Sequence, residues 1–128
     1  MRQVIVSGSF DDLRAGQVRM LQEASRLGPV DVLLWSDRMV QKLEGKPSKF
    51  PEAERRYLLE SIRYVDRVGL CDSLEHGNAL PADAIARADN ARATTWVVGP
   101  GDANAAKEAF CQAAGIEYRV LSPEDLLG

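Results

Sequence analysis

The chain is poor in the residues that build several kinds of site. Among 128 residues there is one histidine, there are two cysteines, and aromatics make up 6%. Cys71 and Cys111 stand apart, with no C-x-x-C and no histidine beside either, which excludes a zinc-finger pattern and a paired redox motif. Two ordinary thiols fit a reduced, intracellular protein. His76, in Asp72-Ser-Leu-Glu-His-Gly-Asn78, has no partner at ligand spacing and reads as structural, so no protein-held metal is expected. No run approaches the ~20 apolar residues of a membrane span. No N-terminal stretch has the form of a signal peptide. Excess positive charge is lacking too: a net charge of −3 and a pI near 5.2 give no reason to expect nucleic acid. The expectation is a cytoplasmic protein with neither a nucleic-acid nor a membrane partner. Repeats and low-complexity segments are absent, and the length and 45% apolar content suit one domain over residues 1–128 with a core of its own.

What is present is organised around Val4 to Ala24. Val4-Ile5-Val6 is a β-branched run suited to a strand buried on both faces. Ser7-Gly8-Ser9 then lets the backbone turn sharply and approach a ligand. Val18, Leu21 and Ala24 follow at helical spacing, and Gly28 stops the helix. A strand passing through a small-residue turn into a helix brings unpaired N–H groups and a positive dipole end to one point, a ready anion site.

Strand and helix patterns alternate to the end, which predicts an α/β domain with a parallel sheet. Strands are expected over 3–7, 30–35, 67–70, 94–98 and 116–121. Helices are expected over 15–27, from Pro51 onward, over 82–89 and over 103–114. Trp35 has two readings, lining the crevice at the carboxyl edge of the sheet or, as strand tryptophans more often do, packing in the core. Residues 39–49 have no clear period and contain Gly45 and Pro47, so they read as a mobile loop carrying Lys42, Lys46 and Lys49. In the helix after Pro51, Leu58, Leu59 and Ile62 form the buried side, while Arg56, Glu60, Arg63 and Arg67 share a stripe. From Arg38 to Arg67 lie eight of the sixteen Lys and Arg against five acidic residues, a net of about +3. Two readings fit that segment: a solvated helix surface with i,i+4 pairs, or a phosphate-facing patch.

Gly8-Ser9-Phe10-Asp11, then Leu13 and Gly16 leading into a helix, resembles the opening of the cytidylyltransferase-like nucleotidyltransferases, with the glycerol-3-phosphate cytidylyltransferase group nearest. A second stretch, Arg55 followed by Arg63-Tyr-Val-Asp66, resembles the same group. The resemblance implies a Rossmann-like three-layer sandwich with a five-stranded parallel sheet. It implies Mg²⁺ with CTP or ATP, a small phosphorylated metabolite as second substrate, and a homodimer. Where the family carries H-x-G-H, this chain reads Arg14-Ala15-Gly16-Gln17. By position, Arg14 and Gln17 would be the donors to the α-phosphate, with Lys46 and Arg63 as catalytic cations. Gly8, Ser9, Phe10, Asp11, Gly16, Lys49, Arg55 and Asp102 would contact the nucleotide or phosphates. The position does not decide between Lys46 and Lys49.

Arg14 and Gln17 keep the i,i+3 spacing of the two histidines, and both can donate hydrogen bonds. Neither exchanges protons near neutral pH. The family's C-terminal R-[ST]-x-x-[ST]-[ST] signature is not reproduced by Tyr118-Arg-Val-Leu-Ser-Pro-Glu-Asp125. Two functions follow: nucleotidyl transfer from CTP or ATP to a small phosphorylated alcohol or sugar, or a catalytically inactive nucleotide- or phosphometabolite-binding module of the same fold. The residues favour weak or absent turnover by the family's own chemistry.

Overall fold

The computed structural model describes residues 2–72, 76–85 and 93–126. Five strands form one sheet, β1 (Gln3–Gly8), β2 (Val30–Trp35), β3 (Arg67–Cys71), β4 (Thr94–Val98) and β5 (Glu117–Val120), in the order β3-β2-β1-β4-β5. Every pairing is parallel, with Val4 opposite Val30 on one side and Thr95 on the other. The helices are α1 (Ala15–Ser25), α2 (Asp37–Glu44), α3 (Glu52–Glu60), α4 (Ala82–Ile85) and α5 (Ala105–Ala114), and Pro123–Leu126 makes a 3-10 turn. This is the expected three-layer α/β sandwich. The remainder of the helix expected over 82–89 lies outside the described residues.

The pleat divides the apolar residues of the central strands between two cores. Val4, Val6, Val32, Leu34, Val68 and Val97 face Met20, Leu21 and Ala24 of α1 and Leu59 of α3. Ile5, Trp96 and Val98 face the other way, against Leu80, Cys111 and Ile116. Each such side chain, fully buried, contributes about 1.5–3 kcal/mol relative to exposure. β4 is buried at all five positions, whereas β5 at the edge is mostly exposed.

Two expectations are corrected. Residues 37–44 form α2 and are not a loop. The Ser36 hydroxyl caps it by accepting from the Met39 N–H at 3.1 Å, Met39 and Val40 bury its inner side, and Gly45 ends it at φ 75°, a left-handed conformation that glycine adopts without strain. The polar stretch lacked apolar period because only two of eight residues face the core. In α3, Leu58 is exposed and Arg55 is buried beside Leu59. The helix ends at Glu60, so Arg63 and Arg67 do not continue its stripe.

Candidate functional site

From β1 the chain first moves outward to β2 and β3, then crosses back to β4 on the other side of β1. Crossovers that diverge in this way open a crevice at the carboxyl ends of the two adjacent strands. A cleft of about 590 Å³ lies there, floored by Val6, Ser7 and Gly8 of β1 and by Val97 and Val98 of β4. That volume falls in the usual range for a small-molecule site, roughly 300–1,000 Å³.

The start of α1 forms one wall, with Arg14, Gly16 and Gln17 all lining the cleft. Arg14 is extended at the N-cap, and its backbone N–H donates to Gln17 Oε1 at 3.1 Å. The N–H groups of Gln17 and Val18 return to the Arg14 carbonyl at 3.0 and 3.1 Å. This reciprocal arrangement uses the amide oxygen of Gln17 and leaves its NH₂ as the end available to a ligand. The turn before the helix is held in an uncommon shape. Phe10 has φ 45° and Asp12 has φ 67°, both left-handed without being glycine. Each such residue costs of order 1–3 kcal/mol, and strain of this kind gathers at ligand sites. Phe10 is anchored by its ring, which is buried in the core below α1.

The opposite wall comes from the β4 exit and α5. The Asp102 N–H bonds the Gly99 carbonyl at 3.1 Å, closing a tight turn. Lys107, in the first turn of α5, donates its Nζ to the Asp102 carbonyl at 2.6 Å and stands 5.9 Å from the centre of the Trp96 ring. Both Asp102 and Lys107 line the cleft. Trp35 does so too and is only half-buried, which is the crevice reading and not the core one. Its indole is pressed by Gly77, where a Cβ would come within 2.8 Å of the ring.

Compared with known proteins, the chain is 40% identical over 67 residues to an FAD synthase of Pyrococcus horikoshii, a match covering 52% of this chain and 45% of the relative. It is 34% identical over 68 residues to a glycerol-3-phosphate cytidylyltransferase of Staphylococcus aureus, covering 53% of this chain and 52% of that protein. The matches thus span about half the length of these curated relatives. The crystal structure of a lipopolysaccharide core biosynthesis protein from Thermoplasma volcanium shares the fold, with a TM-score of 0.69 at 23% identity over 94% of this chain and 93% of that one. No protein-family model matches. By these matches the chain is similar to cytidylyltransferase-like nucleotidyltransferases.

Within this fold the cleft gathers Gly8, Ser9, Phe10, Arg14, Gly16, Gln17 and Asp102 from the residues singled out in the sequence. It does not gather Asp11, Lys46, Lys49, Arg55 or Arg63. Asp11 accepts the backbone N–H groups of Lys49 at 2.7 Å and Phe50 at 3.0 Å, so it fastens one loop to another. Arg55 is 1% exposed and turned inward. Its guanidinium donates to the carbonyls of Phe50 (2.9 Å), Ser9 (2.6 Å) and Trp35 (2.9 Å) and to Asp37 Oδ1 (2.8 Å). Four donations to protein acceptors leave little for a phosphate. Arg63 lies over the Tyr64 ring, 5.0 Å from its centre, and donates to the Tyr64 hydroxyl at 2.8 Å. Lys46 is exposed on the segment after α2. Much of the positive segment is tied down locally, Arg38 to Asp72 and Arg56 to Glu60 and the Val68 carbonyl.

Electrostatically the cleft is mixed. The guanidinium of Arg14 bonds Asp12 Oδ2 at 2.8 Å, and Lys49 Nζ lies 3.4 Å from the same oxygen. The hydrogen bonds from Arg14 and then Lys49 hold the Asp12 carboxyl below its ordinary range. Lys107 and Asp12 were not singled out in the sequence. The available signal for Lys107 was its place three residues after Asn104, which caps α5 by accepting the Lys107 N–H at 2.8 Å. Among the described residues, no group of three His, Cys, Asp or Glu could hold a metal alone. No helix of the described residues is long and apolar enough to cross a membrane.

Proposed function

We propose that the cleft binds the triphosphate of CTP or ATP against the start of α1, and that the chain transfers the nucleotidyl group to a small phosphorylated alcohol or sugar. The observation that carries this reading is the placement of Arg14, Gly16 and Gln17 together on the first turn of α1, facing Lys107 across the crevice. An attacking phosphate oxygen of the acceptor forms a bond to the α-phosphorus while the bond to pyrophosphate breaks. A phosphomonoester is largely dianionic at neutral pH, its second pKa being about 6, so the attack needs no protein base. The protein must position the two anions and place donors where charge develops. Arg14 and the Gln17 amide are suited to that, because neither has to give up a proton.

Mg²⁺ carried with the nucleotide would bridge phosphate oxygens and offset their charge. The donor set fits an ion brought by the substrate, with the Asp12 carboxylate beside Arg14 as a protein oxygen of that kind at the phosphate end. Asp102 and the Gly99–Asp102 turn lie where a base or ribose would reach from phosphates held at α1. The relatives' names, an FAD synthase and a glycerol-3-phosphate cytidylyltransferase, support transfer of a nucleotidyl group and leave the acceptor open. A cytoplasmic homodimer belongs to the same proposal, with light scattering as its check.

The absence of imidazole in the cleft and the pairing of Arg14 with Asp12 favour a second reading, a binding module without turnover. Calorimetric titration with CTP, ATP and Mg²⁺, followed by a pyrophosphate-release assay with glycerol 3-phosphate and FMN, separates the two. Release that disappears in Arg14→Ala or Gln17→Ala supports the enzyme. Binding with no release supports the module. Triphosphate affinity untouched by Arg14→Ala contradicts both.

A further inference from the structure

We propose that Asp12 is a specificity-determining residue, holding Arg14 in the free protein and yielding it to a polyphosphate that arrives with a divalent cation; this rests on the reading of the cleft as a polyphosphate site. Asp12 lines the cleft beside Arg14. A single oxygen, Oδ2, takes Arg14 Nη2 at 2.8 Å and faces Lys49 Nζ at 3.4 Å. Two cations from separate segments thus converge on one carboxylate oxygen, as they would on one phosphate oxygen. Among the described residues neither cation has another acidic partner. The Arg14 side chain is 77% exposed, so this pair and not packing sets its direction. An exposed pair of this kind exchanges readily for a stronger anion.

The neighbouring carboxylate behaves differently. Asp11 is engaged by backbone N–H groups of Lys49 and Phe50, which keeps the Lys49 backbone tethered beside the Asp11–Asp12 turn when its ammonium lets go of Asp12. The left-handed backbone at Asp12, φ 67°, fixes where its carboxylate starts. Once Arg14 turns to a phosphate, Asp12 is left facing an anion, and like charges at that range oppose binding. A divalent cation on the phosphates reverses the sign, and one carboxylate plus phosphate oxygens is ordinary coordination for Mg²⁺. Asp12 therefore selects against the free anion and not against its metal complex.

The test is calorimetric titration of sodium tripolyphosphate into the wild type and Asp12→Asn, once in EDTA and once in excess Mg²⁺. Asparagine accepts the left-handed backbone, so the turn should persist, and a thermal melt checks it. If Asp12→Asn melts well below the wild type, Asp12→Ser takes its place. The wild type should prefer the Mg²⁺ complex, and the variant should bind the free anion about tenfold more tightly than the wild type while losing most of that preference. Asp12→Glu, which keeps the charge, should keep the preference. A variant that gains nothing for the free anion, or retains the full Mg²⁺ preference, overturns the proposal while the site stands. No binding by either protein in either condition overturns the polyphosphate reading and the proposal with it.

Discussion

Replacing Gly16 by alanine separates the demands of the helix from those of a ligand. Gly16 is the second residue of α1, exposed, and a Cβ built there meets nothing within 4 Å. The fold therefore has room for a methyl group. Alanine is favoured over glycine within a helix by about 0.5–1 kcal/mol, through the entropy glycine loses on folding. In a domain of this size such a gain raises the melting temperature by roughly 2–4 °C. The same methyl stands in the cleft wall, where a phosphate would press against the first N–H groups of α1. Forcing one extra carbon into a close contact costs about 1–3 kcal/mol, a loss of roughly 5- to 150-fold in affinity. Thermal melts and calorimetry with CTP or ATP and Mg²⁺ read both effects on one sample. The expected variant is more stable and binds more weakly. One that melts higher and binds triphosphate as tightly as the wild type refutes the placement of phosphates at the start of α1.

Arg55→Ala should destabilise the fold by about 3 kcal/mol, because it strips donors from part-buried carbonyls and removes the cation that pairs with Asp37; urea midpoints check this, and Arg55→Lys should recover only part. Asp37 supplies a pH dependence of known sign. Burial works against its charged form, but bonds from Arg55, Ser48 and the Glu52 backbone outweigh that and hold its carboxyl below the ordinary range. A lowered carboxyl contributes stability above its unfolded value of about 3.9 and loses it as pH falls through the folded value. Denaturation midpoints followed from pH 6 to pH 2 should therefore decline more steeply for the wild type than for Asp37→Asn. Lys107→Ala should weaken triphosphate binding about three- to tenfold, whereas Arg63→Ala, outside the cleft, should change it by less than about twofold.

What the sequence disclosed and what it concealed divide along physical lines. The strands were legible because parallel strands covered on both faces must be largely apolar, as Val4–Val6 and Trp96–Val98 are. The turn at Gly8 and the start of α1 were legible because the chemistry there is local: one small-residue turn feeds one helix. α2 was concealed because a helix that buries only Met39 and Val40 shows no apolar period, and its signals are the Ser36 cap and Gly45. The role of Arg55 was concealed because a side chain's direction is tertiary. An arginine donating to Ser9, Trp35 and Phe50 reads in sequence like one that faces solvent or phosphate. Lys107 reaches the cleft only because α5 packs back across β4, which no local spacing records. Trp35 at the carboxyl end of β2 left crevice and core both open, and the Gly77 segment packing against its ring is the tertiary contact that local sequence does not record.

The most direct measurement is a titration of ¹⁵N-labelled protein with CTP or ATP and Mg²⁺, followed by amide chemical shifts residue by residue. The largest changes should fall on Gly8–Gln17 and Gly99–Lys107, the two walls of the crevice between β1 and β4. Changes concentrated instead around Arg56–Val68, with the start of α1 undisturbed, would contradict the account.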